Sequence, residues 1–254
     1  MFKTGNRTQK TLLKILVPIL FIIILGASVY LRVRGLFWGE YQFLHPDERF
    51  LVWVGSSISS VDKLADYFNT HVSSLNPNNR GHTFFVYGDF PIILTRYIAE
   101  LMSDLVGWNE ITQVGRSLSA LFDLGSVILI FFIGKKLFGK WTGLLAAAFS
   151  GFAVLQIQQS HFYTVDTFAT FFTTLAVLIV VIISKYEFKY RNKNTEASGE
   201  VKRLISDKLL SRLPNYKTLV LSIFFGIIVG LAGASKINTI TIALLLPVAV
   251  VILW

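Results

Sequence analysis

The segment Leu44-His45-Pro46-Asp47-Glu48-Arg49-Phe50 places an imidazole beside two adjacent carboxylates, about a dozen residues beyond a long apolar run. A carboxylate held just outside a bilayer can act as a general base, taking the proton from an acceptor hydroxyl as that hydroxyl attacks. Adjacent acids on a helix point about 100° apart, so only one of Asp47 and Glu48 can face a given reactant. Pro46 followed by two acids also suits a helix start, where the fixed φ of proline and the helix dipole both help. The two readings are compatible.

Two more segments bring charge to the same side of the chain. In Gln158-Gln159-Ser160-His161-Phe162-Tyr163-Thr164-Val165-Asp166 an imidazole and a carboxylate fall between two apolar runs. Asp166 could equally serve as a cap or dipole partner for the run it precedes, and His161 as an interfacial polar residue. The stretch Gly230-Leu-Ala-Gly-Ala-Ser-Lys236-Ile-Asn238 interrupts apolar sequence with a single lysine. Such a cation commonly snorkels to the interface. A lysine in a short outer turn is nevertheless the less expected choice under the positive-inside rule, and a bound phosphate would account for it. Arg116 is a second cation for that role. Asp123 lies two helical turns from Arg116, about 10 Å, too far for direct pairing, so its partner is expected on another helix.

These residues must be carried by membrane-spanning helices. Of the 254 residues 53% are hydrophobic and 15% charged, with no cysteine and a mean hydropathy of +0.59. Soluble domains carry about 25% charged residues, and uncharged runs of about 18 residues or more mark spans. A water-soluble enzyme, a disordered tail and a disulfide-stapled module are thereby excluded. Six transmembrane helices are expected, over Ile15–Leu31, Ser117–Gly134 (continuing past Asp123), Trp141–Ser160, Thr167–Ser184, Thr218–Ser235 and Ile237–Trp254. The first is read as an uncleaved anchor, because Arg32-Val-Arg34 follows it without a small-residue cleavage pattern.

With the N-terminus in the cytoplasm, the inner segments are residues 1–14, 135–140 and 185–217. They hold sixteen of the 24 Lys and Arg and four acids, +12 inside against −3 for the rest. The net +9 is therefore an orientation signal, and nucleic-acid binding receives no weight. The chain reads as one all-α, polytopic domain over 1–254. It has a long extracytoplasmic loop over 32–115, a basic cytoplasmic loop over 185–217 with a short amphipathic piece at Val201–Leu213, and a tight outer turn at Ala234–Asn238. Nine of the fifteen acids and three of the four histidines lie in the long loop. There Phe50–Phe68 and Pro91–Val106 read as amphipathic helices on the membrane surface, flanking a turn at Asn76-Pro-Asn-Asn-Arg-Gly81.

The order of features resembles the polyprenyl-phosphate-dependent glycosyltransferases of the GT-C fold, in particular the protein O-mannosyltransferase-like and aminoarabinose-transferase-like group. The resemblance rests on His45-Pro-Asp-Glu48, Val114-Gly-Arg116-Ser-Leu-Ser-Ala-Leu121, Gly134-Lys-Lys-Leu-Phe-Gly139 with Trp141-Thr-Gly-Leu-Leu-Ala-Ala, Ser160-His161 with Asp166, and Gly230-Leu-Ala with Ser-Lys236. It implies inverting transfer of a sugar from a lipid-phosphate donor to a lipid, glycan or protein acceptor at the outer face of the plasma membrane. Asp47 matches the family's first-loop catalytic aspartate, Glu48 its acidic neighbour, and Arg116 the arginine at the outer end of the second span. Arg116 and Lys236 would take the donor phosphate, and His45, His161 and Asp166 the substrate.

Some members of the fold use a divalent metal, whereas the group resembled here is generally taken to work without one. The spacing of His45, Asp47, His161 and Asp166 matches no metal template. Relatives usually carry more spans and often a further outer domain, so the chain corresponds to their N-terminal portion, whether as a fragment, a split protein or a minimal member. A transporter or lipid flippase, and a non-catalytic subunit that binds a lipid-linked sugar, are the competing classes. A transporter would concentrate ionisable residues near the bilayer midplane, where Asp123 is the only acid.

Overall fold

The computed structural model describes residues 7–197 and 216–253, so the piece expected at Val201–Leu213 lies outside the described residues. Among the described residues there are helices, turns and irregular connections and no strand. Four helices are long and apolar enough to cross a membrane: Ile15–Val33 within α1 (Arg7–Val33), α5 (Trp108–Phe138), Val165–Glu187 within α8 (Val165–Ala197), and α9 (Tyr216–Ser235). A fifth span results if α6 (Lys140–Gly151) and α7 (Val154–Ser160), bent by 58° at their junction, are taken as one. Small residues let these helices approach closely. A Cβ on Gly143 would lie 2.7 Å from the Phe131 carbonyl oxygen, and one on Gly151 would lie 2.3 Å from Ser28 Oγ.

Among the described residues, four or five candidate spans thus stand where six are expected. Over the sixth run, Ile237–Leu244 is a 3-10 helix, and only Leu245–Leu253 (α10) is α-helical. The sequence Ile237-Asn-Thr-Ile-Thr-Ile242 explains the difference. β-Branched side chains disfavour the α-helix, and the Thr239 and Thr241 hydroxyls donate to the Lys236 and Asn238 carbonyls, three residues back, which supports the tighter turn.

The long connection between α1 and α5 folds into a cap. Its helices are α2 (Pro46–Ser57), α3 (Leu64–Phe68) and α4 (Asp89–Met102). Leu51, Val52, Val54 and Ile92 from the cap are fully buried against Ile111, Tyr163 and Phe168 at the adjoining ends of α5 and α8. At roughly 1.5–3 kcal/mol for each large apolar side chain, this contact fixes the cap on the bundle. The helix expected over Phe50–Phe68 is split. Ser74 accepts the Ser59 N–H and donates its hydroxyl to the Ser59 and Ser60 carbonyls, so those backbone groups are satisfied outside a helix. The expected turn is present as a 3-10 turn over Pro77–Arg80, closed by Gly81 at φ 86°.

Below the cap, Arg32 at the end of α1 is fully buried. Its Nε donates to Asp123 Oδ2 on α5 at 2.5 Å. Its terminal nitrogens donate to the Gly151 carbonyl at 2.8 Å and the Ser150 carbonyl at 3.4 Å. Those carbonyls end α6, where the bend leaves them without a continuing helix. One guanidinium therefore neutralises the acid inside the bundle and caps the broken span.

Candidate active site at the capped end of the bundle

Helix α2 begins as its sequence suggests. Pro46 occupies its first turn, and His45 caps it, Nδ1 accepting the Asp47 N–H at 3.2 Å. The His45 ring also tilts against Phe162, with centroids 5.0 Å apart. The cap sends the two acids in different directions. Glu48 turns inward and is fully buried, whereas Asp47 stays half-buried at the surface of the cap.

Glu48 meets Arg116 of α5. Arg116 Nε donates to Oε1 at 2.7 Å and Nη2 to Oε2 at 2.8 Å, while Nη1 donates to the Leu36 and Trp38 carbonyls. Glu48 Oε1 also accepts the Tyr163 N–H at 2.9 Å. This is a different setting from the one expected from sequence. Arg116 is 2% exposed and its donors point at Glu48 and at backbone, which leaves no open face for a phosphate. A bidentate, fully desolvated pair of this kind orients what is attached to it. Here it ties the first turn of α2 to α5 and to the chain entering α8.

Asp47 is joined to the second half of the site by a residue that the sequence did not single out. Tyr87 stands close enough to Asp47 for that carboxylate to act on its hydroxyl. Its ionisation is pushed up to about 12 by burial, then by Asp47, then by the charge of Asp166. A phenol so placed stays protonated. One residue on, Gly88 donates its N–H to the Ser235 carbonyl at 3.2 Å, and a Cβ there would lie 2.0 Å from the Ala234 carbonyl oxygen. That contact draws the turn at the end of α9 against the cap. Lys236, next in the chain, places Nζ 2.6 Å from Asp166 Oδ1, with both side chains more than a third exposed.

Four segments distant in sequence thus bring Asp47, Tyr87, Asp166 and Lys236 to one end of the bundle. Beside them lies an open groove of about 290 Å³ lined by Asp166, Ala169, Thr170, Thr173, Thr174, Lys236, Asn238 and Thr239. His161 stands apart: its Nδ1 lies 2.7 Å from the Ile157 carbonyl oxygen and its Nε2 3.1 Å from that of Arg34, so it braces α7 against the end of α1. Among the described residues no group of three or more His, Cys, Asp or Glu is placed to hold a metal ion.

A family model described as dolichyl-phosphate-mannose-protein mannosyltransferase matches residues 89–193. The matched stretch runs from the start of α4 into α8 and contains Arg116, His161 and Asp166. No curated protein and no solved structure matches the chain. Over that stretch the chain is similar to this mannosyltransferase family, and the apolar helices already described are those of a multi-pass membrane protein.

Proposed function

We propose that the chain transfers a sugar from a polyprenyl-phosphate donor to an acceptor hydroxyl at the extracytoplasmic face of the plasma membrane, with inversion, the N-terminus lying in the cytoplasm. The observation that carries this reading is Tyr87, which lies within electrostatic reach of both Asp47 and Asp166, the partner of Lys236. Asp47 takes the acceptor proton. The acceptor oxygen then forms its bond to the anomeric carbon from one side as the carbon–oxygen bond to phosphate breaks on the other. Lys236 stabilises the charge that develops on the departing phosphate. In the resting pair Asp166 holds the ammonium at the mouth of the threonine-lined groove, where a phosphate can share it.

Glu48 and Arg116 serve as positioning residues for Asp47 in this scheme, with His45 fixing the first turn of α2. His161 and Asp166 shape the substrate side. The acid that a transporter would need inside the membrane, Asp123, is committed to Arg32. No step of this scheme calls on a metal.

Purified chain in lipid nanodiscs, given a polyprenyl-phosphate hexose carrying a radiolabelled sugar and a set of hydroxyl acceptors, is expected to release labelled product. Asp47→Asn is expected to abolish release with the fold retained, and Lys236→Ala to raise the donor KM. Full transfer by Asp47→Asn would overturn the base assignment.

A further inference from the structure

Away from Lys236, the cap carries a second cavity that none of the roles above uses. It has a volume of about 210 Å³ and lies between α3, the loop that follows it, and the first turns of α4. Its polar lining includes Asp89, Thr70, Ser73 and Asn76. Tyr67 and Phe68 stand at its side with their rings edge to face, 5.2 Å between centroids. An apolar pocket of about 370 Å³ adjoins it, and Tyr67, Leu75 and Ile93 line both. The structure therefore has one cleft with a polar compartment and an apolar one, which share Tyr67, Leu75 and Ile93.

The polar compartment is built in advance. Asn76 and Asn79 both donate to the Thr70 carbonyl, and Asn79 also donates to the Ser73 carbonyl. The loop is thereby held open without using the hydroxyl it presents. Ser73 Oγ is sealed behind the lining with no hydrogen-bond partner, so the groups the cavity offers a ligand are Asp89, Thr70 and the aromatic rings. The lining contains one carboxylate and no cation, which disfavours a phosphorylated or otherwise anionic ligand. A hydroxyl and a carboxylate beside exposed aromatic faces match a ligand with several hydroxyls and an apolar ring face. Smaller than the roughly 300 Å³ at which drug-sized sites begin, the compartment admits a single ring. Asp89 is two residues from Tyr87 along the chain, at most about 7 Å of backbone.

We infer that this cleft is the acceptor subsite, taking a neutral hexopyranosyl unit in the polar compartment and an apolar substituent of that sugar in the adjoining one. The acceptor role rests on the transfer reaction proposed above; sugar binding itself does not. Full-length chain in nanodiscs without donor is titrated with methyl and phenyl hexopyranosides and followed by saturation-transfer NMR. Saturable binding is expected, tighter for the phenyl glycosides. Asp89→Asn and Tyr67→Ala are each expected to weaken binding about tenfold, as for loss of one charged hydrogen bond or one ring contact, with the melting temperature unchanged for Asp89→Asn. Absence of saturable binding, or binding indifferent to both variants, overturns the inference. So does displacement of nothing but a neutral serine-containing peptide, which would make the cleft a peptide site. Hexoside binding without sugar transfer sinks the transferase reading and leaves the sugar site; Asp47-dependent transfer without Asp89-dependent binding does the reverse.

Discussion

Arg116 grips both carboxylate oxygens of Glu48 across 68 residues of sequence, at 2.7 and 2.8 Å, with both side chains essentially sealed from solvent. The pair determines which way α2 presents its other acid. Because Glu48 is drawn inward, Asp47, about 100° round the helix, is turned outward. Removing one partner leaves a buried charge uncompensated, which costs about 3–5 kcal/mol. Glu48→Ala is therefore expected to lower the melting temperature sharply, whereas Glu48→Gln retains an acceptor for Arg116 and falls between. If these residues act by position, Glu48→Gln lowers kcat in proportion to the misplacement of Asp47 while donor KM barely moves. A large rise in donor KM from Glu48→Gln, with kcat intact, would contradict that role.

Deeper in the bundle, Arg32 and Asp123 set up a separate test. Asp123→Ala strands the guanidinium and should cost about 3–5 kcal/mol, while replacing both residues by apolar ones of similar volume should restore much of the loss. Full recovery is not expected, because Arg32 also caps the carbonyls of Ser150 and Gly151. Thermal unfolding of Asp123→Ala, Arg32→Met and the double Arg32→Met/Asp123→Leu variant measures both parts. Strict additivity of the two single effects would show that the ion pair is not the operative contact.

Much of this arrangement was legible in the sequence wherever the signal is local. Uncharged runs marked the spans because hydropathy needs no partner, and His45-Pro46-Asp47 marked a helix start because capping is decided within one turn. Long-range pairings were not legible. Asp123 was recognisable as an acid in need of a partner on another helix, but its partner stands 91 residues away. Arg32, at the end of the first span, looked like an ordinary flanking charge. Tyr87 sits in a loop with no periodicity, and it matters only because the fold carries it to Asp47. The split of the helix expected over Phe50–Phe68 depends on Ser74, whose bonds to Ser59 and Ser60 no pattern within that segment announces.

Orientation is open to a direct experiment, since the chain has no cysteine of its own. Asn78 is exposed on the cap and Asn194 lies near the far end of α8. Cysteines placed singly at these positions should differ towards an impermeant maleimide, position 78 reacting in intact cells and position 194 only after permeabilisation. Labelling of both from one side would sink the proposed topology.

Tyr87 should remain a neutral phenol at every pH at which the protein is assayed. Its ordinary value of 10.0 is raised to about 12 in the fold. The neutral form is thus the one that folding favours, and its contribution to stability is complete below pH 10.0 and fades only as pH climbs towards the raised value. Two outcomes follow for Tyr87→Phe. Transfer is expected to fall about tenfold through loss of the neutral hydroxyl beside the Asp47 carboxylate. The difference in melting temperature from wild type should stay constant between about pH 6 and 9, and the alkaline limb of the rate profile should not move. A Tyr87→Phe profile that loses that limb would assign it to the phenol and refute its neutrality.

Gly88 offers the sharpest separation of geometry from chemistry. Its φ of −75° is one that any residue adopts, so substitution there meets no backbone strain. What it meets is the turn carrying Lys236, since an added Cβ would lie 2.0 Å from the Ala234 carbonyl oxygen and 2.6 Å from the Ser235 carbonyl carbon. Backbone cannot yield as the tip of a side chain can, so Gly88→Ala must part the cap from the end of α9. Overpacking of this kind costs about 1–3 kcal/mol. Because the parting moves Lys236 away from Tyr87 and Asp47, donor KM should rise and kcat should fall together. Gly226→Ala, on the same α9 with nothing within 4 Å of the added atom, is the control and should leave both constants unchanged. If Gly88→Ala destabilised the protein yet transferred sugar normally, the contact would be structural only, and the catalytic pairing of Asp47 with Lys236 would lose its support.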